Sequence, residues 1–227
     1  AELLPLLVGG VASDARAKGI RRLMVQVRPH DWIAASAWLR LGLRPGTVFA
    51  GRPTRPAPDP ARPDVVVRPA RSDDADALVA LAFEQYEYHA AHTECGMRSG
   101  QAEAPTRRLA EQWVQRAEVP RAQLALDADG RPVGFLEMHA VELPAHSPGL
   151  LYYPPRYGYL GLTSVTESAR GRGIGRALAA RALACLADRG LDYAMLHYVV
   201  DNPLSRPFWS GLGFAPHVLT LVGDVLD

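Results

Sequence analysis

"ARGRGIGRAL", residues 169–178, sets three glycines and three arginines at the mouth of an alanine-rich apolar run. The residues before it, "YGYLGLTSV" (157–165), are β-branched and aromatic, so the pattern predicts a strand, then a tight turn, then a helix from about Gly173 to Arg189. Glycines at such a junction remove side chains where backbone N–H groups must approach a ligand, and the helix directs its positive dipole end to the same place. Arg170, Arg172 and Arg176 add donors that form charge-assisted bonds to phosphate oxygens. A glycine-rich turn with solvated arginines explains the composition equally well until the flanking strand and helix are counted. Gly171, Gly173, Ile174 and Gly175 then become backbone candidates for a pyrophosphate cradle. A dinucleotide fingerprint lacks its third glycine here, and a P-loop lacks Gly-Lys-Ser/Thr.

The wider chain excludes several classes. Its 25 Lys and Arg balance 24 Asp and Glu, a net charge of +1. That near neutrality argues against a nucleic-acid partner, so any anion site must be local. The apolar run Leu3–Ala12 is broken by Pro5, Gly9 and Gly10 and is far shorter than the roughly 20 residues of a membrane span. A soluble, cytoplasmic protein with no membrane partner is expected. Cys95 and Cys185 are far apart and belong to no Cys/His cluster, so neither a disulfide framework nor a metal site is expected.

"GRPTRPAPDPARPD" (51–64) holds five prolines and reads as an interdomain linker over 52–64. After it the pattern predicts a strand at "DVVVRPA", a helix opened by Ser72 as N-cap and continuing to about Ala91, and a second helix over Thr106–Ala117. A hairpin turning through Asp127–Gly130 follows, then a long loop (142–156) and the strand and helix already described. A strand at Tyr193–Val200, a short helix over Pro203–Leu212 and a last strand at His217–Gly223 complete the order β-α-α-β-β-β-α-β-α-β. The expected fold class is α/β, a mixed sheet with helices on both faces. Residues 15–51 share a plan with 186–223: a helix ending in glycine (Gly19, Gly190), an apolar strand, and a helix carrying Trp38 or Trp209. Leu-Gly-Leu or Leu-Gly-Phe and a strand then follow in each. Residues 1–51 are therefore expected to be the second half of a domain of the same type as 65–227.

Two stretches together resemble a family. "VTESARGRGIG" (165–175) matches the Arg/Gln-x-x-Gly-x-Gly/Ala pattern of the GNAT acyl-CoA N-acyltransferase superfamily through Arg170, Gly173 and Gly175. "NPLSRPFWSGLGF" (202–214) is similar to its second signature, with an Asn after the fifth strand, a small residue three on, an aromatic pair and Gly-Phe opening the last strand. The resemblance covers 65–227, and more weakly the N-terminal part, as in tandem members. It implies acetyl-CoA as co-substrate, no metal, and transfer of the acetyl group to the amine of a small molecule within a ternary complex. It also implies a CoA pyrophosphate at residues 170–176, a pantetheine arm along Thr163–Val165, and Asn202 and Ser205 beside that arm. A non-catalytic acyl-CoA-binding module and a transferase of another acyl group are the alternatives. A homodimer is compatible with the chain.

Acyl transfer needs a deprotonated amine, an oxyanion donor and a proton for the departing thiolate. The N–H of Val165 is the oxyanion candidate. Family members often supply the proton from a Tyr of the aromatic pair, whereas this chain has Phe208-Trp209. Tyr198, Ser205 or water remain as acids. Where relatives carry Glu or His on the strand before the cradle, this chain has Tyr157 and Tyr159. Glu137, its strand neighbour His139, Glu167 and a water wire are the open choices for the base, and His197 is a further strand histidine. For the acceptor, Tyr86, Tyr88, Tyr152, Tyr153, Tyr157 and Tyr159 suggest an aromatic wall, with Glu84, Glu87 or Glu94 to attract a cation.

Overall fold

In a computed structural model the residues described are 3–55, 64–93, 99–115 and 121–224. Most of the proline-rich stretch, together with Glu94 and Cys95, lies outside them. The chain forms two compact units: 1–51 with 148–153 and 197–227, and 52–147 with 154–196.

In the first unit lie α1 (Leu3–Ala17), β1 (Arg22–Val27), α2 (Trp32–Arg40), most of β2 (Arg44–Pro53), the end of β7 (Tyr193–Val199), α6 (Ser205–Ser210) and β8 (Ala215–Asp224). β8 pairs antiparallel with β1 on one side and β2 on the other. Val27, Leu43 and Leu221 form the core there, with Trp38 and Leu219 packed against it. Phe214 packs edge-on against Trp209, the aromatic closest to the core in α6.

The second unit contains β3 (Val66–Pro69), α3 (Ala75–His92), α4 (Ser99–Val114), β4 (Ala122–Leu126), β5 (Pro132–Glu142), β6 (Arg156–Val165), α5 (Ile174–Asp188) and the start of β7. Its strands follow the order β7-β6-β5-β4-β3. The β6–β7 pairing is parallel and the others antiparallel, so the sheet is mixed, as the strand and helix order predicts. α3 and α4 cover a core of Leu78, Leu81, Tyr86, Trp113, Leu124 and Phe135. α5 is buried along Ala177, Leu178, Leu183 and Leu186.

Helices in residues 15–51 and 186–223 stop in the same way. Gly19 and Gly190 both take left-handed φ, 70° and 66°. Ile20 N–H donates to Ala15 O at 2.9 Å and Leu191 N–H to Leu186 O at 3.1 Å, the same backward bond. Gly42 and Gly213, with φ of 86° and 84°, end α2 and α6 alike. Leu43 N–H reaches Trp38 O and Phe214 N–H reaches Trp209 O. Glycine is required there because left-handed backbone brings a Cβ against the carbonyl.

Three sequence expectations shift. α4 begins at Ser99, not Thr106, and carries Pro105 in its interior. Ser72 does not cap α3: it lies in a single 3-10 turn, and Asp74, the residue before α3, makes no side-chain cap to that helix, its carboxylate instead accepting the Arg71 N–H at 2.6 Å. The residues read as linker begin inside β2, which runs through Arg52 and Pro53, and Thr54 is buried with its N–H on Asp192 O at 3.0 Å.

Candidate active site

The junction at 165–175 has the form its composition suggests. β6 ends at Val165, one 3-10 turn spans Glu167–Ala169, and α5 starts at Ile174. Gly171 and Gly173 are both left-handed, at φ 75° and 78°. Gly173 is the N-cap of α5 and supplies no side-chain cap, which leaves the first-turn N–H groups to be satisfied from outside the helix. The Ile174 side chain is in the core, so only its N–H is available to a ligand. Arg170, Arg172 and Arg176 are exposed. Arg170 lies over the Tyr88 ring at 4.9 Å, and its Nε donates to Val165 O at 3.2 Å. Tyr88 itself stacks on His92 at 4.1 Å. Arg172 pairs with Asp64 at 2.9 Å.

β6 leading into this turn is built to offer backbone. Its register with β7 covers only Gly158–Leu160 against Ala194–Leu196. On its other side Thr166 N–H donates to Val133 O at 3.0 Å, and Ser164 and Val165 stand opposite Phe135 and Gly134. Antiparallel ladders alternate bonded and non-bonded pairs. Thr166 and Ser164 therefore bond toward β5, and the N–H groups of Thr163 and Val165 point to the side of β6 away from it. The Thr166 hydroxyl is buried with no hydrogen-bond partner.

A bulge sits just upstream. Leu136 pairs with Thr163 and Met138 with Leu160, so Glu137 alone faces the two residues Gly161 and Leu162. Glu137 is 7% exposed, and its Oε1 lies 2.7 Å from Nδ1 of the half-buried His139. A Cβ at Gly161 would collide with Glu137 Oε2, so the carboxylate occupies the space that glycine leaves. The His139 ring lies 5.2 Å from that of Tyr159. Sequence reading found Glu137 and His139 but not Gly161, whose role depends on a register that composition does not encode. Glu167 is exposed at the turn.

The remaining candidates divide between the units. Burial pushes the Tyr157 and Tyr198 phenols above their usual pKa, Tyr198 being partly offset by Arg206. Tyr198 thus keeps its proton at neutral pH. Asn202 is buried and its Oδ1 accepts from the N–H groups of Leu204 and Ser205 at 3.0 and 3.2 Å, which fixes the entry to α6. Of the expected aromatic wall, Tyr86 is a core residue of the second unit. Tyr153, in the first unit, accepts a hydrogen bond from Gln26 at 2.8 Å and packs edge-on against Phe49 at 5.5 Å. Phe49 lies equally close to His197. Arg28 donates to Leu151 O at 3.0 Å, so Gln26 of β1 and Arg28 just after it hold the 148–153 loop at two points. Among the described residues there is no cluster of His, Cys, Asp and Glu fit for a metal, and no helix long and apolar enough to cross a membrane.

A bared helix N-terminus behind a strand with a free-facing backbone edge agrees with sequence comparison, in which residues 78–214 match the acetyltransferase (GNAT) family. The chain belongs to the GNAT family. A mycothiol acetyltransferase from Salinispora tropica is 36% identical over 71% of the chain and 48% of that relative. The chain thus spans about half the length of that curated relative. Among solved structures, a GCN5-related N-acetyltransferase from Sphaerobacter thermophilus has a TM-score of 0.58 at 18% identity, over 91% of this chain and 61% of that one. An acetyltransferase from Clostridium acetobutylicum, solved with acetyl-CoA, has a TM-score of 0.51 at 16% identity, over 66% and 90%. These two likenesses show the GNAT fold.

Proposed function

We propose that this GNAT protein transfers the acetyl group of acetyl-CoA to the amine of a small molecule by direct attack in a ternary complex. The uncapped start of α5, reached through two left-handed glycines, is the observation that carries this reading. Backbone N–H groups of Gly171, Gly173, Ile174 and Gly175, with Arg170, Arg172 and Arg176, form the proposed pyrophosphate cradle. Thr163 and Val165 are proposed to bond the pantetheine arm, with the Val165 N–H turned to the thioester oxygen as charge develops on it. Asn202 and Ser205 are assigned to the arm by motif. Glu137 is the proposed base, and Tyr198 or Ser205 the donor to the departing thiolate. The name carried by the curated relatives makes a mycothiol-related amine the first acceptor to try. Residues 1–51 read as the second half of the same fold, and 65–227 as the catalytic GNAT domain.

The balance of the step is simple. An ammonium group of the acceptor gives a proton to the base, its nitrogen attacks the thioester carbon and gives up a second proton, the C–S bond breaks, and the thiolate takes up a proton, so one proton is released to water overall. Acetyl-CoA supplies the activated acyl group. Calorimetry with acetyl-CoA, followed by thiol release against an amine panel that includes a mycothiol-related amine, tests the reading. Binding with thiol release for one amine supports transfer. Binding without release from any amine supports an acyl-CoA-binding module instead.

A further inference from the structure

We propose that this chain has moved its catalytic base from β6 to β5, with Gly161 making the niche for Glu137 and His139 acting as the residue that positions it. The inference rests on the acetyl-transfer reading and specifies how its proton is removed. The positions on β6 where the family resemblance leads one to expect a carboxylate or imidazole hold Tyr157 and Tyr159, so the base must come from elsewhere. Glu142 and Glu167 are exposed. Glu137 differs from both because its side chain is only 9% exposed and lies at the bulge directly before Thr163.

A carboxylate taken out of water is costly unless it is paired, and structural carboxylates generally find Arg or Lys. In the same unit Asp74 does so, with both oxygens on the Arg68 guanidinium at 2.6 and 2.9 Å. Among the described residues Glu137 pairs with no Arg or Lys and meets only His139. An ionised carboxylate can only accept, so the proton on the shared bond belongs to His139 Nδ1, which donates to Oε1 at 2.7 Å. That bond ties down one oxygen and leaves the other, Oε2, over the bare backbone of Gly161. The carboxylate is thereby held beside the strand edge whose next residues are proposed to bind the thioester arm. The acceptor's ammonium N–H bond breaks, the proton goes to Oε2, and the nitrogen lone pair attacks. Glu137 later returns that proton to water. His139 keeps its own proton throughout, as an orienting carboxylate does for an imidazole in the reverse arrangement.

The variants Glu137→Gln, His139→Ala, His139→Asn, Gly161→Ala and Glu137→Gln/His139→Ala test this on the full chain, with acetyl-CoA affinity by calorimetry and kcat for the amine the wild type acetylates. Glu137→Gln is expected to lower kcat by about 100-fold or more, the scale of a lost general base, with acetyl-CoA affinity kept within about twofold. His139→Ala is expected to lower kcat by about tenfold. His139→Asn, whose amide N–H reaches the same oxygen, restores most of it. Gly161→Ala displaces a flexible carboxylate end rather than backbone, so the protein folds and binds acetyl-CoA while kcat falls. In the double variant the His139 loss disappears, because there is no carboxylate left to position. Full kcat in Glu137→Gln, equal damage from Asn and Ala at 139, or a His139 loss that multiplies on top of Glu137→Gln each overturns the proposal. A wild type that binds acetyl-CoA but acetylates no amine overturns the transfer reading, and this inference with it.

Discussion

Asp64 stands against the cradle and is expected to weaken it. Its carboxylate pairs with Arg172 at 2.9 Å, with the two side chains 46% and 44% exposed. CoA phosphate must take that guanidinium away from a competing anion. Exposed ion pairs contribute about 0.2–1 kcal/mol, and about 1.4 kcal/mol is a tenfold change in affinity. Asp64→Asn is therefore expected to tighten acetyl-CoA binding about 1.4- to 5-fold, and Arg172→Ala to loosen it. Removal of any negative charge also helps an anionic ligand, so Asp129→Asn, which removes an exposed carboxylate from the β4–β5 turn, is the control. Calorimetry in low salt reads the effect at its largest, because the Debye length falls from roughly 10 Å at 0.1 M to 3 Å at 1 M. The gain at Asp64 is expected to exceed the gain at Asp129 and to shrink as salt rises. Equal gains at both positions, or weaker binding in Asp64→Asn, refutes the idea that Arg172 serves the phosphates.

Gly173→Ala forces a side chain into left-handed backbone at the α5 N-cap, which costs about 1–2 kcal/mol and moves the N–H groups that follow; acetyl-CoA affinity measured by calorimetry is expected to fall at least tenfold. Asp74→Asn breaks a bidentate pair whose carboxylate side is 10% exposed, a loss of about 3 kcal/mol that lowers the melting temperature by about 6–12 °C. Burial opposes the Asp74 charge, but the bonds from Arg68 and the Arg71 N–H outweigh it and hold its pKa below the usual value. Its stabilisation is thus complete above the unfolded pKa of about 3.9 and is lost as pH falls through the lower folded value, so wild type and Asn variant converge in acid melts. Tyr153→Phe keeps the ring against Phe49 and deletes the bond from Gln26; if the 148–153 loop recognises the acceptor, KM for the amine rises several-fold while KM for acetyl-CoA stays put.

The order of elements from β3 to β8 was legible because each carries a local signal. Asp127–Gly130 closes its turn through the Asp127 carboxylate on two N–H groups, and Gly173 and Gly190 bracket α5. α4 was misread at its start because Pro105 reads as a boundary, yet a helix absorbs one proline when its apolar face is anchored, here by Ala110 and Trp113. The cradle was legible because its chemistry is contiguous in the chain. The pairing of Glu137 with His139 was half legible, since alternate strand residues share a face. The niche at Gly161 was not, for it arises from a bulge that sets one residue of β5 against two of β6.

The place of β8 between β1 and β2 bears on how the polypeptide is made. Both flanking strands leave the ribosome well before β8, which bonds to each and begins at Ala215. At roughly 5–20 residues per second, some 10–30 s of synthesis separate β2 from its partner. Throughout that interval two apolar strands wait with unsatisfied edges, which is the condition under which nascent chains aggregate or are held by chaperones. The first unit therefore closes only once β8 itself has been made, by insertion of a strand between two others rather than by growth outward from a hairpin.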